Sequence, residues 1–581
     1  MNNNFQKRTG AVARIDQFEE AFQKKKSGYV SGKMAKAFYT VIFLLGTFCP
    51  AVASDVGEQI RSEVEQIRYA KEYFVDEFRI GSTDVLPRFY ERRDFEPAWK
   101  DEKQIDRLID LAGQMKMEGL NPEDYHLTAL KKLRGQLYAG PGSDPRLKAH
   151  IDLLLTDSLL RMIYHLAFGK LDPVTQHAGW NFYRDIGDID PVAFIQAGIE
   201  SGDIDAIFKS IIPELPIYTR LKAGLAAYRR IEGKGGWRPV SGGETLKTGT
   251  AGPRVVELAQ RLAATNDLEG EVVASGNFDA SIEKAVKRFQ RRHGLEEDGT
   301  VGRQTLEALN IPVERRIDQI RINLERMRWF LHDLPSTFVV VDIAGFHAYF
   351  IQDGEIVWDA KAQVGTPFRE TPSFRSEIEY LVFNPTWTVP PGILAKDTLP
   401  AIKKDPGYLA RMNMTVLDRS GKAINPKSVD WSKYSGRNFP YILRQEPGPN
   451  NALGRIKFIF PNRFFVFLHD TPSKSLFEKS SRAFSSGCIR IENPFELAEL
   501  LLKGSENWRK ENMLDILSSM EPKTVFLPEH KAVMLLYWTA QADEYGHVYF
   551  KKDIYGRDKK LLKALDGEFE IHRKVSLTRV D

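Results

Sequence analysis

Residues 469–494 read HDTPSKSLFEKSSRAFSSGCIRIENP, and the reading of the whole chain turns on them. They hold Cys488, one of two cysteines in 581 residues. The other, Cys49, lies in an apolar N-terminal segment expected to be removed, which leaves one thiol, in Ser486-Gly487-Cys488. Nineteen positions before it, His469 ends the apolar run RFFVFLH (463–469). Such a run predicts a strand, and side chains alternate faces along a strand, so His469 should share a face with Phe467 and Phe465 and stand at the sheet rim. A thiol is a nucleophile only as thiolate, its free pKa lies above neutral, and an imidazole can take its proton. Cys488 is therefore read as a nucleophile and His469 as its general base. Gly487 leaves room for a carbonyl substrate, and its backbone N–H is expected to hold the oxyanion. Asn493 and Pro494 predict the start of the helix PFELAELLLK, with Asn493 as N-cap and Pro494 at the first position. The dipole of that helix fades within its first turn and does not reach Cys488. Asp470 is a tempting third member of a triad, but neighbouring side chains in extended backbone point to opposite faces. Its backbone carbonyl is the expected partner that orients His469.

Length and composition bound the rest. The chain is too long for one core, so two to four domains are expected. Hydrophobic content of 42% and charged content of 28% are those of a folded protein. The net charge is only +4, and no dense Lys/Arg block is interleaved with aromatics, so nucleic acid is not an expected partner. Two cysteines exclude a disulfide framework and a cysteine zinc site. The eleven histidines are dispersed and HExxH is absent, so neither a metal nor a cofactor is expected. Residues 38–48 (FYTVIFLLGTF) are too short to span a bilayer but suit the core of a signal peptide. Lys33 and Lys36 precede them, and Ala51-Val52-Ala53 follows as a small-x-small cleavage pattern. The expectation is a signal peptide over 34–53, preceded by a cytosolic n-region or over-extended start over 1–33. Either way the remainder is expected to be exported, with membrane contact only if this segment stays uncleaved as an anchor.

The exported part reads as α+β and multidomain. Residues 54–245 show apolar residues at three- and four-residue spacing and predict a helical scaffold. Its histidines (His126, His150, His165 and His177) have no ligand spacing and are read as packing or surface groups. Residues 246–312 form a compact unit of three helices, one of them capped by Asp279. A connecting helix is expected within 313–336. From 337 the pattern changes to strands, beginning with TFVVVDI (337–343), with Asp353-Gly354 as a hairpin turn. The catalytic unit is drawn over 337–528, with a polar insertion at about 393–443, and a C-terminal extension over 529–581.

Val364-Gly365 followed by Glu370-Thr371-Pro372, then Asn384-Pro385-Thr386-Trp387, Leu453-Gly454, His469 and Ser485-Ser486-Gly487-Cys488-Ile489-Arg490, resemble the L,D-transpeptidase (YkuD-type) catalytic domain. The run FDASIEKAVKRFQRRHGLEEDGTVGRQTLEAL (278–309) resembles the peptidoglycan-binding three-helix domain, and the whole exported chain resembles the large multidomain Gram-negative type. The resemblance implies that Cys488 forms a thioester with a peptidoglycan stem peptide and passes it to an acceptor stem, giving a 3→3 cross-link. It further implies that Trp387, Arg444, Phe467, Ser486 and Arg490 line the substrate cleft, that the insertion is a lid, and that cell-wall synthases are partners. Many relatives carry a second histidine where this chain has Ser486. Alternatives are an L,D-carboxypeptidase, a transferase that attaches or detaches a protein at the stem, and an inactive wall-binding protein. A papain-like peptidase would want its histidine far downstream of the cysteine, and a penicillin-binding serine enzyme would need S-x-x-K with partner motifs.

Overall fold

Helix α1 (Pro145–Phe168) opens on a local signal: Pro145 occupies the first turn and the Asp144 side chain accepts from the N–H of Arg146. Its 24 residues are apolar on nearly every side, and a helix of that kind belongs in a core. Its buried acids are paired. Asp152 accepts from the N–H groups of Ala98 and Trp99 and from the Tyr90 hydroxyl. Asp157 is held 2.8 Å from His126 and 2.7 Å from Arg161. The computed structural model describes residues 55–138, 144–177, 179–182, 190–269, 276–332, 334–505 and 510–569. The expected leader over 34–53, the segment 1–33 and Cys49 lie outside them.

Helix α2 (Pro216–Gly233) closes the scaffold, and the three-helix unit follows as α3 (Pro253–Ala263), α4 (Ala280–Arg292) and α5 (Arg303–Leu309). Asp279 caps α4 through the N–H groups of Ser281 and Ile282, both at 3.0 Å. One buried amide ties the unit together: Gln290 donates to Asp298 and to the Thr300 carbonyl, and accepts from the N–H of Gly299. Helix α6 (Val313–Arg328) then joins scaffold to catalytic domain, and it does so with buried charge. Arg328 lies 3.1 Å from Glu325, also reaches Glu118, and donates to the Tyr218 hydroxyl.

The catalytic domain is a barrel. Its strands are β1 (Thr337–Asp342), β2 (His347–Gln352), β3 (Glu355–Gly365), β4 (Phe374–Phe383), β5 (Ile456–Ile459), β6 (Leu468–His469), β7 (Ala483–Ser485), β8 (Ile489–Ile491) and β9 (Lys523–Leu536). The neighbour order is β7-β3-β8-β6-β5-β4-β9-β1-β2, and β2 also pairs with β3, so eight strands close on themselves with β7 attached beside β3. The continuous apolar run of β1 has a packing reason. Val339 and Val341 point into the barrel core, while Phe338 and Val340 pack outward against the scaffold. Val533 and Leu535 of β9 alternate with Met534 and Leu536 in the same way. A sheet covered on both faces shows no polar alternation.

Four sequence expectations change here. The predicted strand 463–469 shrinks to β6, because the Asn462 side chain accepts from the N–H groups of Phe464 and Val466 and holds a turn. Phe465 consequently has φ +56° and projects into solvent instead of sharing a face with His469. Strand β9 runs across the boundary drawn at 528, hidden in the sequence by Pro528 at an irregularity in its pairing with β4. Asn493 precedes α7 (Pro494–Leu501) without a side-chain capping bond. The insertion at 393–443 is a folded subdomain with its own core of Leu399, Ile402, Leu409, Val416 and Leu443. Its four-stranded sheet runs in the order 387–388, 442–445, 414–417, 423–424. Buried Asn451 donates to the carbonyls of Pro385 and Glu446, both at 3.0 Å, and clamps the two ends of this subdomain together.

Candidate active site

Parallel pairing of β6 with β8 builds the site. Leu468 pairs with Ile489 and His469 with Arg490, so one step back Phe467 lies opposite Cys488. The N–H of Ile489 donates to the Phe467 carbonyl at 2.9 Å and locks this register. Leu468 and Ile489 are fully buried in the barrel. Alternation then turns Phe467, His469, Cys488 and Arg490 together onto the opposite face. On β5, Lys457 pairs with His469 and so joins the same face. Its ammonium sits 3.7 Å from the centre of the Phe467 ring.

His469 is buried, and its Nδ1 lies 2.5 Å from the carbonyl oxygen of Asp470. That contact puts the ring proton on Nδ1 and leaves Nε2 as the basic nitrogen. The Asp470 carboxylate turns away: it accepts from the N–H of Arg455 at 2.9 Å and pairs with Lys474. Burial, together with the charge of Arg490 and, more weakly, of Lys457, pushes the pKa of His469 down to about 3, with the backbone carbonyls of Asp470 and Leu453 pulling the other way. Cys488 is half-buried, and its thiol points at the Phe465 carbonyl 3.8 Å away. Burial raises the thiol pKa, opposed by the Phe467 backbone and by Lys457 and Arg490. Both groups therefore rest neutral at pH 7.

The loop that carries Cys488 is braced from several sides. Gly487 has φ +115°, a region that favours glycine. Its N–H donates to the Ser485 hydroxyl at 3.1 Å, and this corrects its expected role: a donor already engaged by Ser485 is not free for an oxyanion. The Cys488 N–H has no acceptor among the described residues and is the better placed donor. Thr371 accepts from the N–H of Gly365 at 2.9 Å and donates to the Gly487 carbonyl at 2.8 Å. Tyr555 in turn accepts from the N–H of Thr371 and donates to the Gly365 carbonyl. Ser486, at the position where many relatives have histidine, accepts from Arg369 at 2.7 Å, and the same guanidinium pairs with Asp397 of the inserted subdomain at 2.8 Å. Arg490 donates to Gln363 at 3.2 Å. Trp387 and Arg444 lie in the subdomain's sheet, Trp387 against its core and Arg444 held by Glu446 at 3.0 Å. Among the described residues, neither hydrogen-bonds to Cys488 or His469.

Family models match three parts of the chain: an L,D-transpeptidase catalytic domain over 336–509, a "Putative peptidoglycan binding domain" over 251–309 and a scaffold domain over 84–225. The chain carries a YkuD-type L,D-transpeptidase catalytic domain. A Haemophilus influenzae protein named "Putative L,D-transpeptidase" is 33% identical over 264 residues, which is 45% of this chain and 53% of that relative, so the match spans about half the relative's length. Solved L,D-transpeptidases from Stackebrandtia nassauensis and Xylanimonas cellulosilytica are 15% and 17% identical, cover 52% and 51% of this chain and 97% and 99% of theirs, and give TM-scores of 0.19 and 0.16, too low to carry an argument. Within the transpeptidase domain, sequence reasoning missed Lys457, Thr371 and Arg369. Lys457 left a trace, as the one charged residue inside the strand IKFI, but its neighbour His469 is known only once β5 and β6 are paired.

Proposed function

We propose that this chain is a periplasmic L,D-transpeptidase that forms 3→3 peptidoglycan cross-links through a Cys488 thioester. The observation that carries the reading is the shared face of Cys488 and His469, with Nδ1 of the imidazole held by the Asp470 carbonyl and Nε2 left to act as base. Nε2 takes the thiol proton as the sulfur attacks the carbonyl of the third stem residue, a diamino acid at its L-centre. The tetrahedral oxyanion faces the Cys488 N–H. The C–N bond to the terminal D-alanine breaks, and His469 returns the proton to the departing amine. The side-chain amine of a second stem then attacks the thioester, loses its proton to His469 and frees the thiol. The peptidoglycan-binding unit keeps the enzyme on its polymer, and the N-terminal apolar segment directs export.

The test is expression of the wild type and a Cys488→Ala variant followed by mass spectrometry of the muropeptides. Wild type should add 3→3 dimers and the variant none; dimers that persist in the variant reject the reading. Tripeptide stems without dimers would identify water as the acceptor.

A further inference from the structure

Two cations share the face of Cys488 without an acidic partner. Lys457 is packed on the Phe467 ring, and Arg490 donates to the neutral amide of Gln363. Among the described residues neither forms an ion pair with a carboxylate, and Arg490 Nε has no acceptor. Burying unbalanced charge is costly, and folds normally pair such groups. Here both pack around one half-buried thiol. Asp470, the nearest acid in sequence, is committed to Lys474 and to the backbone of Arg455. Arg369, which faces Ser486, is already paired with Asp397, and His469 is neutral.

We propose that Lys457 and Arg490 form a seat for a substrate carboxylate beside Cys488. The seat rests on Cys488 being the acylated nucleophile. A carboxylate a few bonds from the attacked carbonyl would balance both cations and make charge-assisted hydrogen bonds to them. It would also offset the repulsion from Arg490 and Lys457 that, after burial, disfavours an imidazolium at His469. An uncharged molecule reaching the thiol would meet a weak base and a neutral thiol. The seat thus ties reactivity to a class of substrate: peptides with a carboxylate next to the scissile bond.

Alkylation of Cys488 in the exported chain tests this without any cross-linking reaction. Iodoacetate carries a carboxylate one carbon from the attacked centre and iodoacetamide does not. Their rate ratio at one pH cancels any change in thiolate fraction. The wild type should favour iodoacetate, and Lys457→Met should lower the iodoacetate-to-iodoacetamide ratio about tenfold, with Lys457→Arg retaining most of it. A Lys457→Met variant that still reacts with iodoacetamide and melts as the wild type does is folded around the thiol. An equal ratio in wild type and Lys457→Met overturns the seat, even where Cys488 still forms cross-links. Conversely, loss of the ratio in a protein that makes no cross-links keeps the seat and rejects the transpeptidase reading. A tetrapeptide stem ending in D-alaninamide locates the carboxylate: acylation at least about tenfold slower than with D-alanine assigns it to the donor stem, and equal rates overturn that assignment.

Discussion

His469 enters the folded state with a pKa of about 3, against an ordinary value of 6.5. Between those values the unfolded chain binds the proton and the native one does not. Stability from this group is therefore complete above about pH 6.5 and falls as pH drops toward 3, by about 1.4 kcal/mol per pH unit. Urea unfolding of the wild type and of His469→Asn, followed from about pH 6.5 to 4, should show the steeper loss in the wild type. The same neutrality shapes reactivity: Cys488 alkylation should climb with pH toward the raised thiol pKa, without a step in the ordinary imidazole range. The neighbouring Asp470→Asn variant changes a carboxylate that faces Lys474 and Arg455, not the imidazole. Its kcat should fall less than about tenfold, whereas a triad carboxylate would cost about 10³ or more; a steady-state kcat decides between them.

The loop bearing Cys488 depends on side chains from other elements. Thr371, in the turn between β3 and β4, spends its hydroxyl on the N–H of Gly365 and the carbonyl of Gly487. Thr371→Val deletes both bonds and leaves those two backbone groups buried, for about 1–3 kcal/mol. Calorimetry should record a lower Tm with kcat down as well, and Thr371→Ser, which keeps the hydroxyl, should restore both. The turn at 462–466 acts on the same loop from the opposite side, since its Phe465 carbonyl receives the thiol. The inserted subdomain reaches the loop through one guanidinium, Arg369, shared between Asp397 and Ser486.

Across the whole molecule the scaffold core extends onto the outer face of the barrel, whose interior forms a second core. The outward side chains of β1 and β9 pack with scaffold leucines and isoleucines, and Arg328 closes the joint against Glu118 and Glu325. Arg328→Ala leaves the buried Glu325 without its cation, while Glu118 keeps Lys222, and should cost about 3–5 kcal/mol. Because the outer faces of β1 and β9 are buried in the scaffold's core, chemical denaturation should unfold scaffold and catalytic domain together, in one transition seen by both scaffold and barrel tryptophans. Helix α8 (Arg557–Leu565) begins at another joint: Arg557 donates to the Thr371 carbonyl at 3.2 Å and pairs with Glu370. With Tyr555, it links the C-terminal segment to the catalytic loop. A variant Tyr555→Phe removes the hydroxyl that serves the Thr371 N–H and the Gly365 carbonyl and should lower both kcat and Tm, as measured by stem-peptide turnover and calorimetry.

By itself the sequence determined what depends on neighbours along the chain. The Asp279 cap, the period of α4, the apolar run of β1 and the apolar run ending at His469 are local patterns with local physics, and the single thiol in Ser-Gly-Cys needs no partner to be noticed. The carbonyl of Asp470 was reachable too, because alternation along extended backbone turns the carboxylate away. Tertiary structure alone decided what depends on pairing. Lys457 meets His469 only through the antiparallel register of β5 and β6, and Cys488 meets Phe467 only through the parallel register of β6 and β8. Asn462 broke the expected strand, and Ser485 took the N–H of Gly487, because hydrogen-bond donors go to whichever acceptor the fold brings close. Hydrophobic periodicity says which face is buried; it does not say which polar groups meet on the other one.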